Sequence, residues 1–371
     1  MRTSAAITCL AGLSTLAAAA TSSLWVDTPP TFVRPYVIGH YANAEATRVG
    51  AQIYRFYVTG PSSGGLFTLL GTNSYSSGAL GVLPHIHERH HENFFCYKGR
   101  FQLWTEKTDV GVNDGRLMTA GDFGTAPINT THTFQILDPD TEMIGVIVPG
   151  GFEDLFFAIS DGNVTYPNLT PYPPQTFSDA AGAGSSSSEI TALEQFDVYA
   201  QLDYTPRRDF VNGTAPANAT WHDGPNTIPS VSGTPYFVAS NYGPKYINGA
   251  YGIWQIVQPF VTAVTGEHDY TEGSITISAQ PANATVPTWN LTNHTAFQIL
   301  EGALSLTMGQ ETVTLASGDV AFIPGQTEFQ YWSEGAFTKF HYVSAGSAGI
   351  EKALMAHAGN WSYPAFPTYL A

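Results

Sequence analysis

Charge is scarce in this sequence. Asp, Glu, Lys and Arg make up 12% of its 371 residues, about half the usual ~25% of a soluble domain. Basic residues are the scarcer sign, 14 against 30 acidic ones for a net charge of −16. A chain so poor in positive charge has no footprint for phosphates, so no nucleic-acid partner is expected. Cysteine is nearly absent, with Cys9 and Cys96 alone. Residues 1–20 read as a secretory signal: Arg2, an apolar run through Ile7, Leu10, Leu13 and Leu16, then Ala17 to Ala20 as the cut site. Its removal takes Cys9 away and leaves Cys96 without an internal partner, which excludes a disulfide framework. Cys96 sits among strand residues with no basic neighbour and reads as a buried core thiol. No later stretch is long and apolar enough to span a bilayer, so a secreted, extracellular protein with no membrane partner is expected. Nine N-x-[ST] sequons, at Asn129, Asn163, Asn168, Asn212, Asn218, Asn283, Asn290, Asn293 and Asn360, suit glycosylation of such a protein.

Glycine and proline are plentiful, 36 and 24 residues, and favour many short strands over long helices. The strand patterns repeat once. Pro35-Tyr36-Val37-Ile38 is echoed by Pro235-Tyr236-Phe237-Val238, and strands expected at 52–58 and 251–257 follow the pairs Gly50-Ala51 and Gly249-Ala250. Gly99 and Gly302 precede similar strands, and Gly121-Asp122 with Pro127 matches Gly318-Asp319 with Pro324 at the same spacing. The stretch 165–188 is rich in Pro and Ser and too poor in apolar residues to pack, so it reads as a linker. Short helices are expected at 189–196, 152–159 and 350–358. The reading is an all-β chain of two sandwich or barrel domains: signal peptide 1–20, first domain 21–164, linker and short helix 165–205, second domain 206–371.

The most informative stretch is Pro84-His85-Ile86-His87-Glu88-Arg89-His90-His91-Glu92-Asn93-Phe94. Period-two geometry places His85 and His87 on one face of a strand, and after a turn Glu92 can return to the same point. His132, arriving on a separate strand, is the candidate fourth ligand. Three imidazoles and a carboxylate suit divalent copper, iron, nickel, manganese or zinc, and the residues do not choose among them. His90 and His91 lie in the intervening loop and read as solvated. Strand alternation turns Phe94 and Phe134 toward the same metal.

This pattern resembles the cupins, whose first motif is H-x-H, three or four residues, E, six residues, G. His85, His87, Glu92 and Gly99 fit it in order, with Ala79 where the leading Gly is usual. The second motif is met by Gly121, Pro127 and His132, with Asn129 and Ile136 at positions usually Gly and Asn. Aligned through Gly302 and Pro324, the second copy has Thr288, Asn290, Thr295 and Phe329 at the ligand positions, which leaves it without a metal, and His294 reads as a turn histidine. The architecture implied is a bicupin: two jelly-roll-like β-barrels with one metal.

Among bicupins, a single N-terminal site, a signal peptide and a Pro-rich linker make the chain similar to the fungal flavonol-cleaving copper dioxygenases. That resemblance implies one Cu2+ per chain on His85, His87, Glu92 and His132, with Glu92 also taking the proton of the flavonol 3-hydroxyl. Desolvation of Glu92 in an apolar pocket is expected to raise its affinity for that proton. The implied partners are a small flavonol such as quercetin and O2, with a possible homodimer. Tyr54, Leu70, Thr72, Met143, Ile147 and Phe152 are implied to line the pocket with Phe94 and Phe134, and the linker to hang over its mouth. Two alternatives compete. A manganese oxalate decarboxylase would carry ligands in both copies and an arginine where this chain has Val82, whereas a non-catalytic storage or ligand-binding bicupin has no need of converging ligands.

Overall fold

Apolar runs rich in aromatic and β-branched residues form the strands, among them Gln52–Val58 and Phe337–Ala345. The turns between them need backbone that only glycine adopts without strain. Gly99 and Gly302 take φ of 72° and 80°, Gly121 and Gly318 take 91° and 92°, so the repeated glycines close equivalent turns in both halves. The computed structural model describes residues 23–40, 45–74, 78–163, 187–209, 219–282 and 284–367. The signal segment, most of the linker and the sequons at Asn168, Asn212, Asn218 and Asn283 lie outside the described residues.

The architecture is all-β, two cupin-like halves in tandem. Sheets of eight and five strands build the first half, and sheets of nine and four build the second. Their inner faces meet in separate apolar cores, one around Phe94, Phe101, Leu103 and Phe134, the other around Phe297, Leu306, Phe329 and Phe340. A third core joins the halves, with Phe95, Phe123 and Val146 from the first packed on Phe260, Phe322 and Val343 from the second.

Chain order and sheet membership part at the repeated Pro-Tyr motif. Tyr36–Ile38 pairs antiparallel with the second half, Tyr36 opposite Phe322, and Tyr236–Val238 pairs with the first, Tyr236 opposite Thr125. Each half thus lends a strand to the other. Residues 199–209 also remain with the first half: Tyr199–Ala200 pairs with His85–Ile86, and Trp104 Nε1 donates to Arg207 O at 2.9 Å.

Four expected elements shift. The strand expected at 251–257 is Gln255–Val261, because the turn before it runs through Gly252, at φ 71°, and not through Gly249. The helix expected at 350–358 stops at Met355, since Ala358–Trp361 extends to pair with Lys245–Asn248. The helix after the linker spans Ser187–Glu194, two residues earlier than expected, and the helix expected at 152–159 is Glu153–Ala158. Cys96 is fully buried and free. Among the described residues no helix is long and apolar enough to cross a membrane.

Candidate metal centre

Both sheets of the first half contribute to one point between them. His85 lies on the short strand His85–Ile86 and pairs directly with His132 on Thr130–Ile136. Glu92 comes from the facing sheet, on His91–Lys98, opposite Ala126 and Ile147. His87 follows the first strand, and its carbonyl accepts the Asn129 N–H at 2.8 Å. One ligand atom from each of the four side chains falls within 4.8 Å of the others, and among the described residues these form the one group of His, Cys, Asp or Glu so arranged.

The tautomers are fixed from behind. His85 Nδ1 lies 2.7 Å from Leu83 O, His87 Nδ1 2.7 Å from Asp197 O, and His132 Nδ1 2.9 Å from Thr130 O. A carbonyl only accepts, so each Nδ1 carries the proton and donates it, and each Nε2 presents a lone pair to the centre. Glu92 Oε2 stands 2.9 Å from His132 Nε2 and 3.2 Å from His87 Nε2. Acceptor atoms converge here, which calls for a cation between them, so the donor set fits a divalent metal. Burial and the neighbouring imidazoles hold His85 well below the ordinary histidine range, which keeps it neutral, the form that binds metal. Burial pushes the Glu92 carboxyl upward as expected, but the adjoining imidazoles of His132 and His87 leave it below its ordinary range by way of positive charge at Nε2, which a bound metal would supply.

Above the four ligands opens a cavity of about 770 Å³, lined by Tyr54, Leu70, Thr72, Phe94, Phe134, Met143 and Phe152 together with His85 and Glu92. The ring of Phe94 lies 5.8 Å from that of His132 and 6.2 Å from that of Phe134. Ile147 is not among the lining residues. It is fully buried and packs on Tyr54, Phe56 and Leu70 behind the wall. Gln52, Gly81, Val82, Phe156, Leu193 and Val198 also line the cavity and were not expected to do so. Tyr54 donates its hydroxyl to Gln52 Oε1 at 2.9 Å, and burial beside Glu92 holds it far above the ordinary phenol range, as a neutral donor. A larger groove of about 1090 Å³ runs along the second half past Tyr242, Lys245 and Trp361, but none of the four ligands reaches it.

His90 and His91 are not solvated. His90 is 9% exposed and bonded to Asp197, and His91 is fully buried with Nε2 2.6 Å from Thr125 Oγ1. Loop position suggested solvent, but the loop folds inward onto a buried carboxylate. Asn129 is exposed and does not line the cavity, so a glycan there would stand outside the pocket. Asn290 and Asn360 are also exposed, and Asn293 is half-buried.

The second half fills the equivalent place with hydrocarbon. Trp289 pairs with Phe329 as His85 pairs with His132, and Leu291 O accepts the Gln326 N–H as His87 O accepts that of Asn129. The positions are therefore Trp289, Leu291, Thr295 and Phe329, where the sequence alignment placed Thr288 and Asn290 for the first two. The slip arises because the loop from Leu291 to Thr295 is one residue shorter than that from His87 to Glu92. His294 accepts the Gly325 N–H at 2.8 Å, as a turn histidine does.

No protein-family profile matches the chain. It is 53% identical over 349 residues to a quercetin 2,3-dioxygenase of Aspergillus japonicus, covering 94% of this chain and 99% of that protein. A quercetin 2,3-dioxygenase of Bacillus subtilis (strain 168) is 31% identical over 129 residues, 34% of this chain and 35% of the relative. Among solved structures, the oxalate decarboxylase of Lactobacillus farciminis superposes with a TM-score of 0.51 at 14% identity, covering 83% of this chain and 85% of that one. A variant of the Bacillus subtilis oxalate decarboxylase gives 0.50 at 15% identity, over 86% and 79%. These two likenesses establish the bicupin fold and nothing about chemistry.

Proposed function

The chain belongs to the quercetin 2,3-dioxygenase family, and on that premise we propose that it opens the heterocyclic ring of flavonols such as quercetin with O2, releasing carbon monoxide and a depside. One observation carries the reading: three Nε2 lone pairs and one carboxylate converge at the floor of an aromatic cavity large enough for a flat polyphenol. A single copper ion on His85, His87, His132 and Glu92 would supply a Lewis acid for the flavonolate oxygen and a partner for electron exchange.

The chain's own groups do the rest. Glu92 is poised to take the proton of the 3-hydroxyl, because it is an ionised carboxylate with 13% of its side chain exposed, at the cavity floor. Phe94, Phe134 and Phe152 hold the rings flat and keep water from the reactive carbons, and Met143 and Leu70 complete an apolar wall. Oxygen adds across C2 and C4 of the deprotonated ring, and loss of C3 as carbon monoxide leaves the depside with both oxygen atoms. Export directed by residues 1–20, with glycans on exposed asparagines such as Asn129 and Asn360, belongs to the same proposal.

Oxalate chemistry is disfavoured by charge. A small dianion needs a cationic wall, and among the described residues lining the cavity none is Lys or Arg. The discriminating experiment is aerobic incubation of the metal-loaded chain with quercetin and, separately, with oxalate. Quercetin loss in step with headspace carbon monoxide, absent in His132→Ala, is the expected outcome. No loss of quercetin by a fully loaded protein overturns the reading.

A further inference from the structure

Asp197 lies 110 residues beyond His87 in sequence yet touches its ring directly. The residue stands just past the helix Ser187–Glu194, at a left-handed φ of 67°, and its side chain is fully buried. Its carboxylate gathers the loop that separates His87 from Glu92. Oδ1 accepts the Glu88 N–H at 3.1 Å, and Oδ2 accepts those of Arg89 at 2.9 Å and His90 at 3.0 Å. His90 Nδ1 lies a further 2.6 Å from Oδ2. The backbone carbonyl of the same residue takes the proton of His87 Nδ1 at 2.7 Å. On either side, Leu193 and Val198 line the cavity, and Tyr199–Ala200 pairs with the strand bearing His85.

Helix termination does not account for this residue. A chain leaving a helix through the left-handed region is best served by Gly or Asn, which avoid the cost of burying a charge. Aspartate here is both strained and desolvated, and its four acceptor contacts all run to the metal-binding loop. We propose that Asp197 is the positioning residue of the metal centre: its carboxylate sets the span between His87 and Glu92, and its carbonyl sets the tautomer and tilt of His87. The ligand geometry is thereby tied to the segment that walls the cavity, so that segment and centre move as one body. This inference rests on the reading of the four residues as a metal centre.

The test uses the full chain loaded with Cu2+ and competed with a chelator, alongside the electron paramagnetic resonance spectrum and thermal melting. Asp197→Gly suits the left-handed backbone, keeps the carbonyl and removes the clamp. Asp197→Asn keeps the size and one acceptor oxygen, and serves the same test where the glycine variant fails to fold. Asp122→Asn is the control, a buried carboxylate that accepts the Ser240 N–H at 2.7 Å and touches none of the four ligands. The expected result is a roughly 10- to 100-fold loss of Cu2+ affinity with an altered spectrum in the Asp197 variants, and affinity within about twofold of wild type in the control. Wild-type affinity and spectrum in the Asp197 variants overturn the proposal, as does an equal loss in Asp122→Asn. Wild-type protein that takes up no Cu2+ overturns the centre itself, a different failure from a loaded centre indifferent to Asp197.

Discussion

Phe329 stands in the second half where His132 stands in the first. Each faces the residue that opens its own motif, His132 opposite His85 and Phe329 opposite Trp289. The frame of two facing open sheets is thus duplicated while the chemistry is not, and the second site is packed shut: Trp289, Leu291 and Phe329 are each under 9% exposed and share one apolar core with Phe297 and Tyr331.

Phe329 is therefore a structural residue, and its truncation should be felt as stability alone. Phe329→Ala is expected to cost about 3–5 kcal/mol by cavity formation, read as a lowered denaturant midpoint, with metal content unchanged. Loss of metal in that variant would contradict the separation of roles.

On the proposed reading Glu92 both holds the metal and takes the proton, and the two tasks separate in the amide. Glu92→Gln keeps an oxygen for the metal and loses the base, so it should retain much of the metal while kcat falls by about 10²- to 10⁴-fold. Metal analysis beside initial rates decides this, and unchanged turnover removes the general-base role.

Gly81 leaves room for the ring of Phe134. A methyl group built there runs into Phe134 Cε2, and both residues line the cavity. Gly81→Ala should press the ring into the pocket, raise KM for quercetin by an amount equivalent to about 1–3 kcal/mol of lost binding, and leave metal content intact. An unaltered KM would show that the ring has somewhere else to go.

His222 couples folding to pH away from the centre. Its hydrogen bond to Asp122, at 2.8 Å, raises its pKa above the ordinary histidine value against the opposing effect of burial, with Asp223 adding to the rise. A pKa raised on folding contributes stability that is complete below about pH 6.5 and fades as pH climbs through the folded value. His222→Gln should therefore destabilise more at about pH 5.5 than at about pH 8.5, by under ~1 kcal/mol because the imidazole is 32% exposed although its partner Asp122 is buried. Urea midpoints at the two pH values provide the check, and an equal loss at both would assign His222 a role independent of charge.

The convergence of His85, His87, Glu92 and His132 was legible because the spacing of the first three is set by one strand and one turn. His85 lies on a strand and His87 just past its end at the two-residue spacing, Glu92 follows the turn, and Gly121 with Pro127 marks the strand carrying His132. Reading failed where contact distance and sequence distance diverge. Asp197 and Val198 reach the site from far along the chain, and no local pattern announces them. Trp289 and Leu291 were missed by one position because alignment carried the longer loop of the first copy into the second. The exchange of Tyr36–Ile38 and Tyr236–Val238 was invisible because the same Pro-Tyr pattern opens both copies and does not say which sheet takes the strand. His90 and His91 looked solvated because a histidine in a polar loop gives no sign of the buried carboxylate that waits for it.

On the proposed function, one centre on His85, His87, Glu92 and His132 inserts both atoms of O2 into a flavonol. Incubation of the metal-loaded chain with quercetin under ¹⁸O2 tests it most directly, with mass analysis of the depside and headspace carbon monoxide measured together. The expected result is both labelled atoms in the depside and one unlabelled carbon monoxide per quercetin consumed. Label in water, a single labelled atom, or quercetin loss without carbon monoxide would contradict it.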